Sequence, residues 1–123
     1  MSRTRLELLQ WFGLFGGALA WTAEHVAGYG ISDAACSVAG RRWGLDAATL
    51  QVVVGVAAGS VVIAAWAAAL LAYRATNAPY DAPPPTGRIH FFAQAALLGN
   101  VLFLVIVVLD AAGSVYHLPC RQS

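Results

Sequence analysis

Two long stretches of the chain, residues 47–73 and 89–109, carry no charged side chain. Both consist mostly of Ala, Val, Leu, Ile, Phe and Gly. A helix of about 20 mostly apolar residues is long enough to cross the hydrocarbon core of a bilayer. Each stretch therefore predicts a membrane-spanning helix. A third apolar run begins at Leu6 and reaches Gly30, broken by Glu7, Gln10, Glu24 and His25. The pattern predicts three spans, at about 6–30, 47–73 and 89–116. Thr4 and Glu7 have the spacing of a Thr-x-x-Glu capping box, and Asp46 stands where the second span needs an N-cap. Residues 77–87 hold Asn77, Pro79 and the run Pro83-Pro84-Pro85. Consecutive prolines cannot continue a helix, so this segment predicts a loop. Residues 32–39 predict a short interfacial helix, with Ser32 as cap and Gly40 as stop. The expected fold is all-α: one domain over residues 1–123, an integral membrane three-helix bundle.

Arg3 and Arg5, followed by an apolar run and Ala18-Leu19-Ala20, also have the layout of a secretory signal. Glu7 and Gln10 interrupt that run, bulky Trp21 would follow the cut, and hydrophobicity continues to Ile31. A retained first span is the expectation.

Composition adds direction and compartment. The 123 residues are 59% hydrophobic and 11% charged, with a net charge of +1, which leaves no basic surface for nucleic acid. All seven basic residues are Arg, and this bias with abundant Ala and Gly points to a GC-rich bacterial genome. Arg3, Arg5, Arg74 and Arg88 fall on one side of the predicted spans, and Arg41, Arg42 and Arg121 on the other. The positive-inside rule then predicts a cytoplasmic N-terminus and an external C-terminus, in the bacterial inner membrane. Three crossings put Cys36 and Cys120 together on the external, oxidising side, where disulfides persist. A disulfide is expected, with two free thiols or a copper site as the alternatives. The two sulfurs lack metal-type spacing, and no metal site is predicted.

Small residues mark close helix packing. Gly13, Gly16, Gly17 and Ala20 form a ridge on the first span, and Gly55 with Gly59 form a GxxxG pattern on the second. Such ridges serve packing within the chain or against a partner subunit, and the sequence alone leaves both open. Ionisable residues at membrane depth are costly and face protein or water. Glu24, His25, Asp110 and His117 therefore predict a polar cluster near the outer surface, bordered by Tyr29 and Tyr116. The cluster reads first as a hydrogen-bonded knot that fixes helix register. A proton or ion relay and bis-histidine haem ligation by His25 and His117 are the other readings, though no CxxCH motif is present. Without the haem reading, no cofactor is expected. His90 reads as an interfacial residue and Trp43 as an interfacial anchor. Trp21 and Trp66 are expected to pack, and Gln94 and Asn100 to hydrogen-bond across helices. No nucleophile with a base, phosphate loop or zinc signature is present, so enzyme activity is not expected.

The run Leu8-Leu9-Gln10-Trp11-Phe12-Gly13-Leu14-Phe15-Gly16-Gly17-Ala18-Leu19-Ala20-Trp21, then Gly28-Tyr29-Gly30, Cys36 and Cys120, resembles a particular group of proteins. These are small bacterial three-helix membrane proteins associated with haem-copper cytochrome oxidase gene clusters. The resemblance covers mainly the first 36 residues and the tail, and it assigns no functional residue. It implies an accessory subunit or assembly factor of a respiratory complex. Partners would then be the lipid bilayer and other membrane subunits, a haem-copper oxidase among them. The alternative is a small homo-oligomeric transporter, or an ion- or proton-conducting protein that uses Glu24 and Asp110.

Overall fold

The computed structural model describes residues 1–38, 44, 46–116 and 120. Among these the chain forms three long α-helices and no strand: α1 (Arg3–Cys36), α2 (Ala47–Thr76) and α3 (Thr86–Tyr116). The helices run up, down and up. Gly13 of α1 meets Ala69 of α2, and Gly28 meets Gln51, so α1 and α2 are antiparallel. Gly13 and His25 of α1 bond to Asn100 and Asp110 of α3, so α1 and α3 are parallel.

The helix ends follow local chemistry and correct two expectations. Ser2 caps α1 in place of Thr4: its backbone is extended, and its Oγ accepts from the Arg5 N–H at 3.4 Å. Glu7 turns instead to cations, accepting from Arg3 Nε at 3.1 Å and lying 3.8 Å from Arg88. Residues 32–36 of the separate helix expected over residues 32–39 belong to α1, which continues to Cys36, and Ala39 and the expected stop Gly40 lie outside the described residues. Ser32 does not cap because its hydroxyl accepts from Gln51 Nε2 of α2 at 3.2 Å. Ser37 ends the helix with extended backbone, its N–H and Oγ both returning to the Ala34 carbonyl. Asp46 caps α2, accepting from the Thr49 N–H and hydroxyl. Asn77 closes α2 in the left-handed region at φ 31°, a conformation that Asn tolerates better than most residues. The proline-rich loop lies between α2 and α3, and α3 starts at Thr86.

The bundle interior is built from small residues. A methyl on Gly13 would lie 3.0 Å from the Ala69 Cβ, and one on Gly16 would lie 2.9 Å from the Ala65 Cβ. A methyl on Gly17 would run into Asn100 Oδ1, and one on Gly55 would lie 2.8 Å from the Ala111 Cβ. At Gly59 the nearest atoms, on Leu104 and Val107, would be 4.0 Å away. Ala58, Ala65, Ala68, Ala69, Ala72, Ala93 and Ala96 fill the seams. Thus Gly13, Gly16, Gly17 and Gly55 serve packing within the chain, which decides what the ridges left open.

Large apolar side chains point outward instead. Phe15, Leu19 and Val26 of α1, Ile63 of α2, and Leu98 and Leu102 of α3 are all more than half exposed. Helices α2 and α3 are long and apolar enough to cross a membrane, whereas α1, with its acidic and amide side chains, is less apolar. Two apolar layers close the interior. One joins Ala20, Ala58, Val62 and Val107, with Trp21, Phe103 and Leu104 packed against it. The other joins Ala72, Ile89 and Ala93, with Leu6, Leu9 and Tyr73. At the far end, Cys36 and Cys120 form a disulfide across a sequence separation of 84, with Cα atoms 5.5 Å apart.

Candidate functional site: a polar core in an apolar bundle

The buried face of α1 carries Gln10, Gly13, Gly16, Gly17, Ala20, Glu24 and Gly28. Steps of three, four and seven residues return to one side of a helix. Gln10 and Glu24, two of the four residues that break up the apolar run, therefore lie on the glycine stripe and enter the core with it, whereas Glu7 and His25 lie off it. Equivalent stripes bring Gln51 in on α2 and Asn100 on α3. Buried polar side chains thus occur at several levels along the bundle.

Two of them act as interhelical ties. Asn100 Nδ2 donates to the Gly13 carbonyl at 2.7 Å, and Gln51 Nε2 donates to the Gly28 carbonyl at 2.8 Å. Both carbonyls are reachable because glycine leaves the helix backbone bare at those points. The expectation for Asn100 is met. Gln94 is exposed on α3 and hydrogen-bonds no described residue, because it lies off the buried stripe of Ile89, Ala93, Ala96 and Asn100.

The predicted outer cluster is partly assembled. His25 Nδ1–H donates to Asp110 Oδ2 at 3.0 Å, joining α1 to α3. His25 is 63% exposed at its side chain and Asp110 29%, so the pair lies at the bundle surface. Trp21 packs beside His25 with ring centroids 5.9 Å apart, and against Phe103 at 6.3 Å. Glu24 does not share in the hydrogen bond. One residue earlier on the helix, it points into the core, where it is 5% exposed. A methyl built on Gly55 would lie 3.4 Å from its Oε1, so the carboxylate rests against the bare backbone of α2. Neither oxygen has a hydrogen-bond partner among the described residues. His117 lies outside the described residues, as do Arg41, Arg42, Trp43 and Arg121. The bis-histidine haem arrangement depends on His117 and lies outside them too. Among the described residues, no group of three His, Cys, Asp or Glu could hold a metal.

At the opposite end His90 joins helices. Its Nδ1–H donates to Thr76 Oγ1 at 2.9 Å, the Thr76 hydroxyl donates to the Ala72 carbonyl at 2.9 Å, and the ring stacks on Tyr73 at 4.4 Å. This neighbourhood is more specific than a simple interfacial position.

Gln10 and Gln51 are the polar core residues that apolar runs alone do not single out. Gln10 is fully buried, with neither amide atom bonded to a described residue. Its seven-residue spacing from Gly17, and the same spacing from Gly17 to Glu24, is the signal that places it inside. Between α2 and α3, a shallow groove of about 160 Å³ is lined by Val62, Ile63, Trp66, Asn100, Val101 and Leu104. Apart from Asn100, its walls are apolar. Compared with known protein families, curated proteins and solved structures, the chain matches none.

Proposed function

We propose that the chain is a multi-pass protein of the bacterial inner membrane, with three spans, a cytoplasmic N-terminus and an external C-terminus. It works there without catalysis, as an accessory or assembly subunit of a larger membrane complex. The inversion of the bundle supports the membrane setting. Phe15, Leu19, Ile63, Leu98 and Leu102 face outward, while Gln10, Glu24, Gln51 and Asn100 are buried. Lipid accepts the first set, and the protein interior supplies partners that lipid does not have. Helix α1 is less apolar than the others, and two of its polar residues, Gln10 and Glu24, are turned inward. With 34 residues it extends about 50 Å at 1.5 Å per residue, longer than the roughly 30 Å hydrocarbon core. Direction is supported by Arg3 and Arg88 meeting at Glu7, and by Arg74 in the last turn of α2. The disulfide at the other end suits the oxidising face.

The observation that carries the partner reading is Gln94. Its amide is exposed on α3 amid the outward apolar residues Phe91, Leu98 and Val101. In lipid an amide gains by hydrogen bonding to a neighbouring helix, and such bonds contribute on the order of 1 kcal/mol. A helix of another subunit would supply that partner. The resemblance of residues 8–21 makes a haem-copper oxidase the complex to test first. Mild-detergent purification on a C-terminal tag should bring down a multi-subunit complex, and Gln94→Leu should release it while the disulfide stays intact. Recovery of a lone homo-oligomer, unchanged by Gln94→Leu, would favour the self-contained conducting protein instead. Reporter fusions check the direction: a C-terminal reporter active only in the cytoplasm would reverse it.

A further inference from the structure

Glu24 is the one ionisable side chain that the described bundle buries, and neither the interhelical ties nor the partner reading uses it. Three helices meet around it with small groups: Gly55 of α2 faces its Oε1, and Ala111 of α3 borders the same space. Its ionisable neighbours are His25 on α1 and Asp110 on α3. From α2 it meets the glycine face, with Gln51 one turn toward the disulfide end. A metal cation needs several oxygen ligands around it. The Gly55 backbone and Ala111 methyl do not provide that shell, and no described group of acidic, His or Cys residues does. A proton needs only the carboxylate itself.

The surroundings are asymmetric. Toward the N-terminal end of α1, Ala20, Ala58, Val62 and Val107 close the interior one turn from Glu24, and Trp21, Phe103 and Leu104 seal the outside of that layer. Beyond Asn100 and Gln10, Ala72, Ile89 and Ala93 form a second barrier. Toward the disulfide end the environment is polar. The Gln51 amide bridges the Gly28 carbonyl and Ser32, and His25 with Asp110 reaches the surface.

We propose that Glu24 is a proton-binding site that exchanges with the solution on the disulfide side only, by way of the exposed His25–Asp110 pair. The chemistry is a reversible transfer: a hydronium gives its proton to the carboxylate, leaving the neutral acid and water. An unpartnered charge is poorly accommodated on a side chain buried among Gly and Ala, and the bound proton removes it. The two apolar layers separate the site from the N-terminal face, so the bundle takes up and returns a proton without passing it across. This proposal rests on the three-span reading.

Dicyclohexylcarbodiimide, which partitions into membranes and adds to protonated carboxyl groups, is the probe. The disulfide-intact protein is reconstituted in phosphatidylcholine vesicles, and those with an outward C-terminal tag are captured. The pH is then set separately inside and outside. Mass mapping should show an adduct on Glu24 that forms severalfold faster when the disulfide-side pH drops by one unit, and that ignores pH on the other face. Glu24→Gln should lose the adduct while keeping the disulfide. Val62→Asn, which opens the first layer, should make labelling respond to both faces. Labelling that follows the N-terminal-side pH, or neither pH, overturns the proposal, and this holds even if Glu24→Gln fails to fold. A wild-type chain that alkaline carbonate strips from the vesicles overturns the three-span reading and this proposal together.

Discussion

Asn100 donates its amide N–H to the carbonyl of Gly13 at 2.7 Å, reaching from α3 to a helix that starts more than 80 residues earlier. Its other amide atom, Oδ1, faces Gly17 one turn further along α1. One side chain thus measures two glycines. It holds α1 and α3 in register by a hydrogen bond at one and by close approach at the other.

A double-mutant cycle tests this register lock. Gly17→Ala puts a methyl onto Asn100 Oδ1 and should destabilise the bundle by about 1–3 kcal/mol, the usual range for overpacking. Asn100→Ala removes the tie and should cost about 0.5–2 kcal/mol. The double mutant should lose clearly less than the sum, because the clash disappears with the amide. Unfolding of the detergent-solubilised protein by added sodium dodecyl sulfate measures all three. Strict additivity would mean that the two residues do not meet.

Gln10 offers the opposite sign. It is fully buried, and neither amide atom meets a described partner. An apolar side chain of similar length removes that desolvation penalty. Gln10→Met should therefore raise stability by about 1–3 kcal/mol in the same unfolding assay. A loss of stability would show that the amide is paired in the membrane.

The His25–Asp110 bond spans two helices, yet the His25 side chain is 63% exposed. On the reading that this end of the bundle meets the headgroup region, water can replace either partner, and exposed pairs contribute at most about 1 kcal/mol. Asp110→Ala should thus lower stability by less than that, a smaller effect than Gly17→Ala. A loss of several kcal/mol would place the pair in a drier setting than its exposure indicates.

The disulfide is expected to be intact in membranes prepared without reductant. Alkylation before reduction should modify neither Cys36 nor Cys120, and after reduction both. Opening a loop of 84 residues should lower stability by about 4–5 kcal/mol in the chain-entropy account. Identical unfolding curves with and without reductant would contradict that.

Asp46 makes the start of α2 sensitive to acid. The Thr49 hydroxyl and then the Thr49 N–H hold its carboxyl below the ordinary Asp value, because both hydrogen bonds favour the charged form. A folded-state value below the unfolded one contributes stability above the unfolded value, and that stability fades as pH falls through the folded value. The first turn of α2 should therefore fray in acid, seen as faster amide exchange at Thr49 after correction for intrinsic rates. Asp46→Asn should keep the cap and lose this pH dependence. An unchanged acid profile in Asp46→Asn would assign the fraying to another group.

The sequence by itself determined the elements that depend on neighbours in the chain. Uncharged runs over 47–73 and 89–109 became α2 and α3, Asp46 capped, and the prolines after Asn77 interrupted the helices. Each follows from hydrogen bonding or backbone geometry within a few residues. Elements decided by distant partners were less legible. Ser32 was suited to cap a helix, but the Gln51 amide from α2 engages it, and α1 continues past Gly30. Glu7 had the spacing of a capping box, but Arg88 from α3 lies beside it along with Arg3. The cysteines shared a predicted face, yet only the folded chain brings their Cα atoms to 5.5 Å. The polar core divides in the same way. The inward facing of Gln10 was not read from the apolar run, though its seven-residue step to Gly17, repeated from Gly17 to Glu24, held the signal. Which carbonyl Asn100 reaches, and that Glu24 turns inward while adjacent His25 pairs with Asp110, was decided by the tertiary structure. A helix turns by about 100° per residue, so adjacent side chains face different surroundings, and what waits there depends on how the other two helices pack.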